Sequence, residues 1–272
     1  MHNNPRPSSM PDATPDPIAR AFDFGHPFAT FTQRCGAATV STMIDHAHDL
    51  ASVHEATERL LTAVAVLETA SVTEPSRLPG WTRGHVLAHL ARNADALVNV
   101  LEGRPMYTSH ETRDADIERD APRPLDVQLT DLRDSAARFQ EAGAAPADWA
   151  RTVELRGGVT DSASRVPFRR WIEVELHHVD LGIGHELEDL PEEFTQREIV
   201  FLTERFTGHP DVPPTHLTDG TRAWSTGRRE TSAPEVTVAG PTSDLLGWLC
   251  GRRDGSGLTT VTGGPPPVLP PL

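Results

Sequence analysis

The segment Trp171-Ile-Glu-Val-Glu-Leu-His-His-Val-Asp180 concentrates carboxylates and imidazoles on one short stretch. Glu173 and His177 stand four residues apart, so on a helix they share a face about one turn apart. A carboxylate and an imidazole at that spacing can grip one metal ion from a single rigid element. Apolar Val166, Trp171, Val174 and Leu181 surround them, and polar groups turned into a helical bundle need partners, of which a metal is one. Spacing alone leaves open a solvated Glu–His pair. Glu175 and His178 fall elsewhere on the wheel and read as outer-face or supporting residues. Upstream, His85 and His89 are also four apart, with His89 between Val86, Leu90 and Asn93 on the apolar side. A lone histidine on an apolar face can be a satisfied core residue, but beside the Glu173–His177 pair His89 offers a third ligand, and His85 can replace or join it. Two imidazoles and a carboxylate leave a coordination position open for water or substrate. Such a donor set suits a divalent metal, zinc best, with iron, nickel and manganese as alternatives.

These residues must be held by helices. Apolar positions Leu50, Val53, Leu60, Val64 and Leu67 predict a first amphipathic helix within 44–67. Thr82 caps a second that runs to about Leu101. A long polar connection follows, from Pro105 to Pro124. Leu125, Leu129, Leu132, Ala136 and Phe139 mark a third helix, and a fourth spans roughly Val166 to Gly182. The fold class is mainly α, a four-helix bundle over residues 41–190. Beyond Pro191 a helix near Glu192 to Phe206 leads to strand candidates at 222–225, 235–239 and 258–261, with an apolar helix Thr242 to Cys250 between the last two. Residues 191–272 therefore read as a small α+β C-terminal domain, and 1–40 as a poorly ordered extension.

Composition narrows the functions. The 272-residue chain has no lysine, 25 arginines and a formal net charge of −14, which argues against nucleic acid as a partner. Arginine does suit a planar carboxylate, so an acidic small-molecule substrate remains compatible. No apolar run is long enough to span a bilayer, and the start has no secretory h-region. Two cysteines, Cys35 and Cys250, without C-x-x-C spacing fit a reducing cytoplasm. Cys250 on its apolar helix reads as packing, and Cys35 lies in the extension.

Leu78-Pro-Gly-Trp-Thr-Arg-Gly-His-Val-Leu-Ala-His89-Leu-Ala-Arg-Asn-Ala, taken with Glu173-Val-Glu-Leu-His177-His-Val-Asp-Leu-Gly182, resembles the mycothiol-dependent maleylpyruvate isomerase family of DinB-like metalloproteins. Pro105-Met-Tyr-Thr-Ser109 and Leu245 to Arg252 extend the resemblance, which runs from about Met43 to the C-terminus. It implies a DinB-like four-helix bundle with a small α+β domain, metal ligands at His89, Glu173 and His177, and an active-site arginine at Arg252, beside Arg253. His85, His178 and Asp180 also fall on positions common in the family and read as supporting residues. The implied cofactors are a divalent metal and mycothiol, a low-molecular-weight thiol. The implied reaction is thiolate addition to maleylpyruvate, rotation about the resulting single bond, and elimination to fumarylpyruvate, with Arg252 holding a substrate carboxylate. The chain also resembles DinB-like thiol S-transferases, which need the same thiolate, and a metal-bearing module without turnover is the third reading. A monomer or small homo-oligomer is expected.

Overall fold

Why the bundle forms is clearest at its helix starts. The computed structural model describes residues 45–228, 236–261 and 263–271. The expected extension 1–40 and Cys35 lie outside them. Helix α1, His46–Ala65, begins where Asp45 Oδ1 accepts from the Ala47 and His48 amides at 3.1 and 3.2 Å. Helix α2, Arg83–Leu101, is capped reciprocally: the His85 amide donates to Thr82 Oγ1, and the Thr82 amide donates to His85 Nδ1 at 3.2 Å. An imidazole here takes the role usually filled by Glu or Gln.

The segment expected to be a polar connection contains a helix, α3, His110–Asp120, capped by Ser109. Only Arg113, Ile117 and Asp120 of α3 are buried, so it carries too narrow an apolar stripe to announce itself by periodicity. It lies along α2, and its end approaches closely: a Cβ on Gly84 would stand 2.1 Å from the Ala121 carbonyl oxygen. Helix α4, Leu125–Ala144, starts after Pro124. A short antiparallel hairpin that the sequence reading lacked, β1 (Thr152–Glu154) and β2 (Thr160–Ser162), leads into α5, Val166–Asp180. Within the bundle α2 packs chiefly on α4 and α1 chiefly on α5.

All of α5 is buried. That corrects the outer-face placement of Glu175 and His178: α1 covers one flank, and the segment after the helix returns over the other. Glu175 accepts from Arg59 Nη2 at 2.6 Å and Trp171 Nε1 at 2.9 Å, and the His178 ring stacks on His185 with centroids 3.9 Å apart.

The C-terminal part holds α6 (Glu192–Phe206), β3 (Thr215–Thr218), β4 (Ala223–Thr226), β5 (Val236–Ala239), α7 (Thr242–Leu249) and β6 (Thr259–Thr260). Its sheet order is β4-β3-β5-β6, with β3 and β5 parallel and the other pairs antiparallel. Strand β3 was not expected from the sequence; Pro213 and Pro214 immediately before it disguise its start. Helix α7 packs on α6, and Leu245, Leu246 and Leu249 are buried in the core. Among the described residues no helix is long and apolar enough to cross a membrane.

Candidate metal centre

Helices α2 and α5 bring together the three residues the sequence singled out. His89, Glu173 and His177 are all buried, and one ligand atom from each lies within 4.8 Å of the others. Both imidazoles converge on one carboxylate oxygen: His89 Nε2 is 3.0 Å, and His177 Nε2 3.2 Å, from Glu173 Oε2. The i, i+4 spacing of Glu173 and His177 places them on one face, and His89 meets them from the buried stripe of α2.

The surroundings set the charge of each group. Burial lowers the pKa of His89 to about 3, although the hydrogen bond to Glu173 opposes this. Burial likewise tends to raise Glu173, but hydrogen bonds from His177 and His89 outweigh it and hold the carboxyl well below its usual range. His177 is desolvated too, yet its bonds to Asp180 and Glu173 carry its pKa above the ordinary value. Asp180 falls to about 2, because Arg252 and His177 outweigh its burial.

These residues fit a divalent cation. Asp180 Oδ2 engages His177 Nδ1 at 2.9 Å, which aims Nε2 at Glu173 and gives the ring the carboxylate support usual for metal-ligating histidines. Two imidazole nitrogens and one oxygen, buried and converging, form the donor set of an open zinc-type site. His85 is not part of it: its Nδ1 caps α2, and its Nε2 faces Glu118 at 3.4 Å.

Comparisons with known proteins bear on this geometry. The profile of the mycothiol maleylpyruvate isomerase N-terminal domain matches residues 53–182, and that of the MDMPI C-terminal domain matches 189–271. The chain belongs to the mycothiol-dependent maleylpyruvate isomerase family. A crystal structure of the mycothiol-dependent maleylpyruvate isomerase superposes with a TM-score of 0.75 at 27% identity, over 83% of this chain and 96% of that one. A mutant of that enzyme superposes equally well, at TM-score 0.75 and 26% identity, with the same shares covered. Comparison with curated protein sequences returns no match.

Arg252, which the family resemblance puts in the active site, reaches the triad through Asp180. Its Nε and Nη2 donate to Asp180 Oδ1 and Oδ2 at 3.2 and 2.7 Å, and Nη1 donates to the Cys250 carbonyl at 2.9 Å. Its neighbour Arg253 turns away to Asp244 and Glu188. Arg252 and Asp180 line a cleft of about 770 Å³ that also touches Trp81, Trp248 and the Pro-rich C-terminal segment. Cys250 is buried, and burial pushes its thiol up to about 11, which suits packing and not nucleophilic attack.

His89 and Glu173 themselves line a second, narrow pocket with Tyr107, Arg113, Arg156 and Arg169. Sequence reasoning missed these residues as site components. Arg113 rides on the unrecognised α3, and Arg156 on the unrecognised hairpin. The capping Ser109, followed by acidic Glu111 in the first turn and Arg119 in the last, was the signal for α3.

Proposed function

We propose that this chain is a mycothiol-dependent isomerase of the maleylpyruvate type, with a divalent metal, zinc by its donor set, held by His89, Glu173 and His177. The observation that carries the reading is the convergence of two buried imidazoles on Glu173 in a chain matched by both family profiles. A metal bound there supplies the Lewis acidity that makes a thiol ionise at neutral pH.

The chain's own residues have definable tasks. Burial disfavours the charged form of His89, so it presents a neutral nitrogen, whereas His177, whose pKa Asp180 and Glu173 raise, would give up its Nε2 proton when a metal binds. Asp180 fixes the His177 ring and keeps Nε2 turned inward. Arg252 holds Asp180 from both carboxylate oxygens and is thereby a positioning residue for His177. Trp81, whose ring centroid is 5.5 Å from that of His89, shields the site from bulk water and strengthens electrostatics within it.

The test is turnover of maleylpyruvate by zinc-loaded protein with and without mycothiol. Thiol-dependent cis–trans isomerisation supports the reading. A thioether product accumulating with electrophiles, and no isomerisation, would assign the chain to thiol S-transfer instead.

A further inference from the structure

The narrow pocket beside the triad is cationic in an otherwise acidic protein. Three guanidiniums, from Arg113, Arg156 and Arg169, line it against a single carboxylate, that of Glu173. Arg169 is compensated by Asp161, to which its Nε and Nη2 donate at 2.8 and 2.6 Å. Among the described residues Arg156 has an imidazole as its hydrogen-bond partner and no carboxylate, donating from Nε to His110 Nδ1 at 3.1 Å. Behind the pocket Arg170, 1% exposed, donates from Nη1 to Asn93 Oδ1 at 2.7 Å, and its buried Nη2 has no hydrogen-bond partner among the described residues. Arg113, Arg169 and Arg170 are at most 3% exposed, and guanidinium charge held that far from water is costly where carboxylates do not fully match it.

Arg113 stands closest to the chemistry. It is 3% exposed, donates from Nη1 to Asp114 at 2.7 Å, lines the pocket with Tyr107, and turns Nη2 to His89 Nδ1 at 3.2 Å. The His89 contact is replaceable. When His89 offers Nε2 to a cation, the ring hydrogen sits on Nδ1, and Nδ1 no longer accepts from Arg113. The guanidinium then needs another acceptor, and a carboxylate matches its fork.

We propose that Arg113, with Tyr107 and Arg156 beside it, binds a carboxylate of the substrate next to the metal and restricts this site to anionic unsaturated acids. The inference rests on the metal-centred reading above and adds the residue that selects the substrate class.

Equilibrium binding of maleate and of neutral dimethyl maleate is measured by calorimetry on zinc-loaded wild type, Arg113→Gln and Arg113→Lys, with zinc content determined on the same samples. Wild type is expected to prefer maleate; Arg113→Gln weakens maleate binding about tenfold or more and erases the preference, and Arg113→Lys recovers part of it. Equal maleate affinity in wild type and both variants, with zinc retained, overturns the proposal and leaves the metal site standing. Should Arg113→Gln not fold, undiminished maleate binding by Arg113→Lys decides against it. Wild type that takes up no zinc refutes the underlying reading, and the proposal with it.

Discussion

Asp180 Oδ2 is shared between His177 Nδ1, at 2.9 Å, and Arg252 Nη2, at 2.7 Å, so the C-terminal part of the chain grips α5 through one carboxylate. All three side chains sit largely out of water, where such bonds are strong and their loss is costly.

If Arg252 acts through Asp180, removing either residue should loosen His177 in the same way. Arg252→Met and Asp180→Asn are each expected to weaken zinc retention about tenfold to a hundredfold. Together they should cost little more than either alone. Competition with a zinc chelator gives all three values, and fully additive losses would mean that Arg252 has an independent task.

The same carboxylate predicts a pH effect. Its folded pKa of about 2 lies below the ordinary aspartate value of 3.8, so it stabilises the fold fully above about pH 4 and loses that contribution as pH falls through 2. In metal-free protein the contribution is on the order of 2 kcal/mol at neutral pH. Denaturant unfolding at a series of pH values should show wild type and Asp180→Asn furthest apart near neutrality and converging between about pH 4 and 2.

The bundle was legible because its helices obey one rule at several levels. Leu125 to Phe139 repeat at helical spacing, Thr82 caps where the stripe of α2 begins, and Glu173 and His177 share a face by spacing alone. Residue spacing could not choose between His85 and His89, because that choice depends on capping geometry: His85 is drawn back to Thr82 and Glu118. Nor could a helical wheel show that α5 is covered on every side, so the outer-face alternative for Glu175 and His178 fails on their burial. Arg113 escaped notice because α3 is polar around most of its circumference, and a buried arginine there looks like any surface charge until Tyr107 and His89 are found beside it.

Glu173 and Glu175 differ by two residues and should differ in kind. Glu175→Gln removes a charge that meets Arg59 and Trp171, so it is expected to lower stability by about 1–3 kcal/mol and leave zinc content intact. Glu173→Gln should do the reverse in metal analysis, losing the ion. Thermal unfolding beside zinc determination separates the two.

Gly84 is where α2 admits the end of α3. A methyl group there meets the Ala121 carbonyl oxygen, so Gly84→Ala is expected to destabilise the protein by about 1–3 kcal/mol. The displacement should reach Arg113 and reduce maleate affinity, a loss that calorimetry on the folded variant would detect.

Metal analysis of purified wild type, His89→Ala, Glu173→Gln and His85→Ala tests the central claim most directly. About one zinc per chain is expected in wild type and His85→Ala, and little in His89→Ala or Glu173→Gln. Full occupancy in the His89 and Glu173 variants, or none in wild type after zinc is supplied, would contradict a metal centre at these residues.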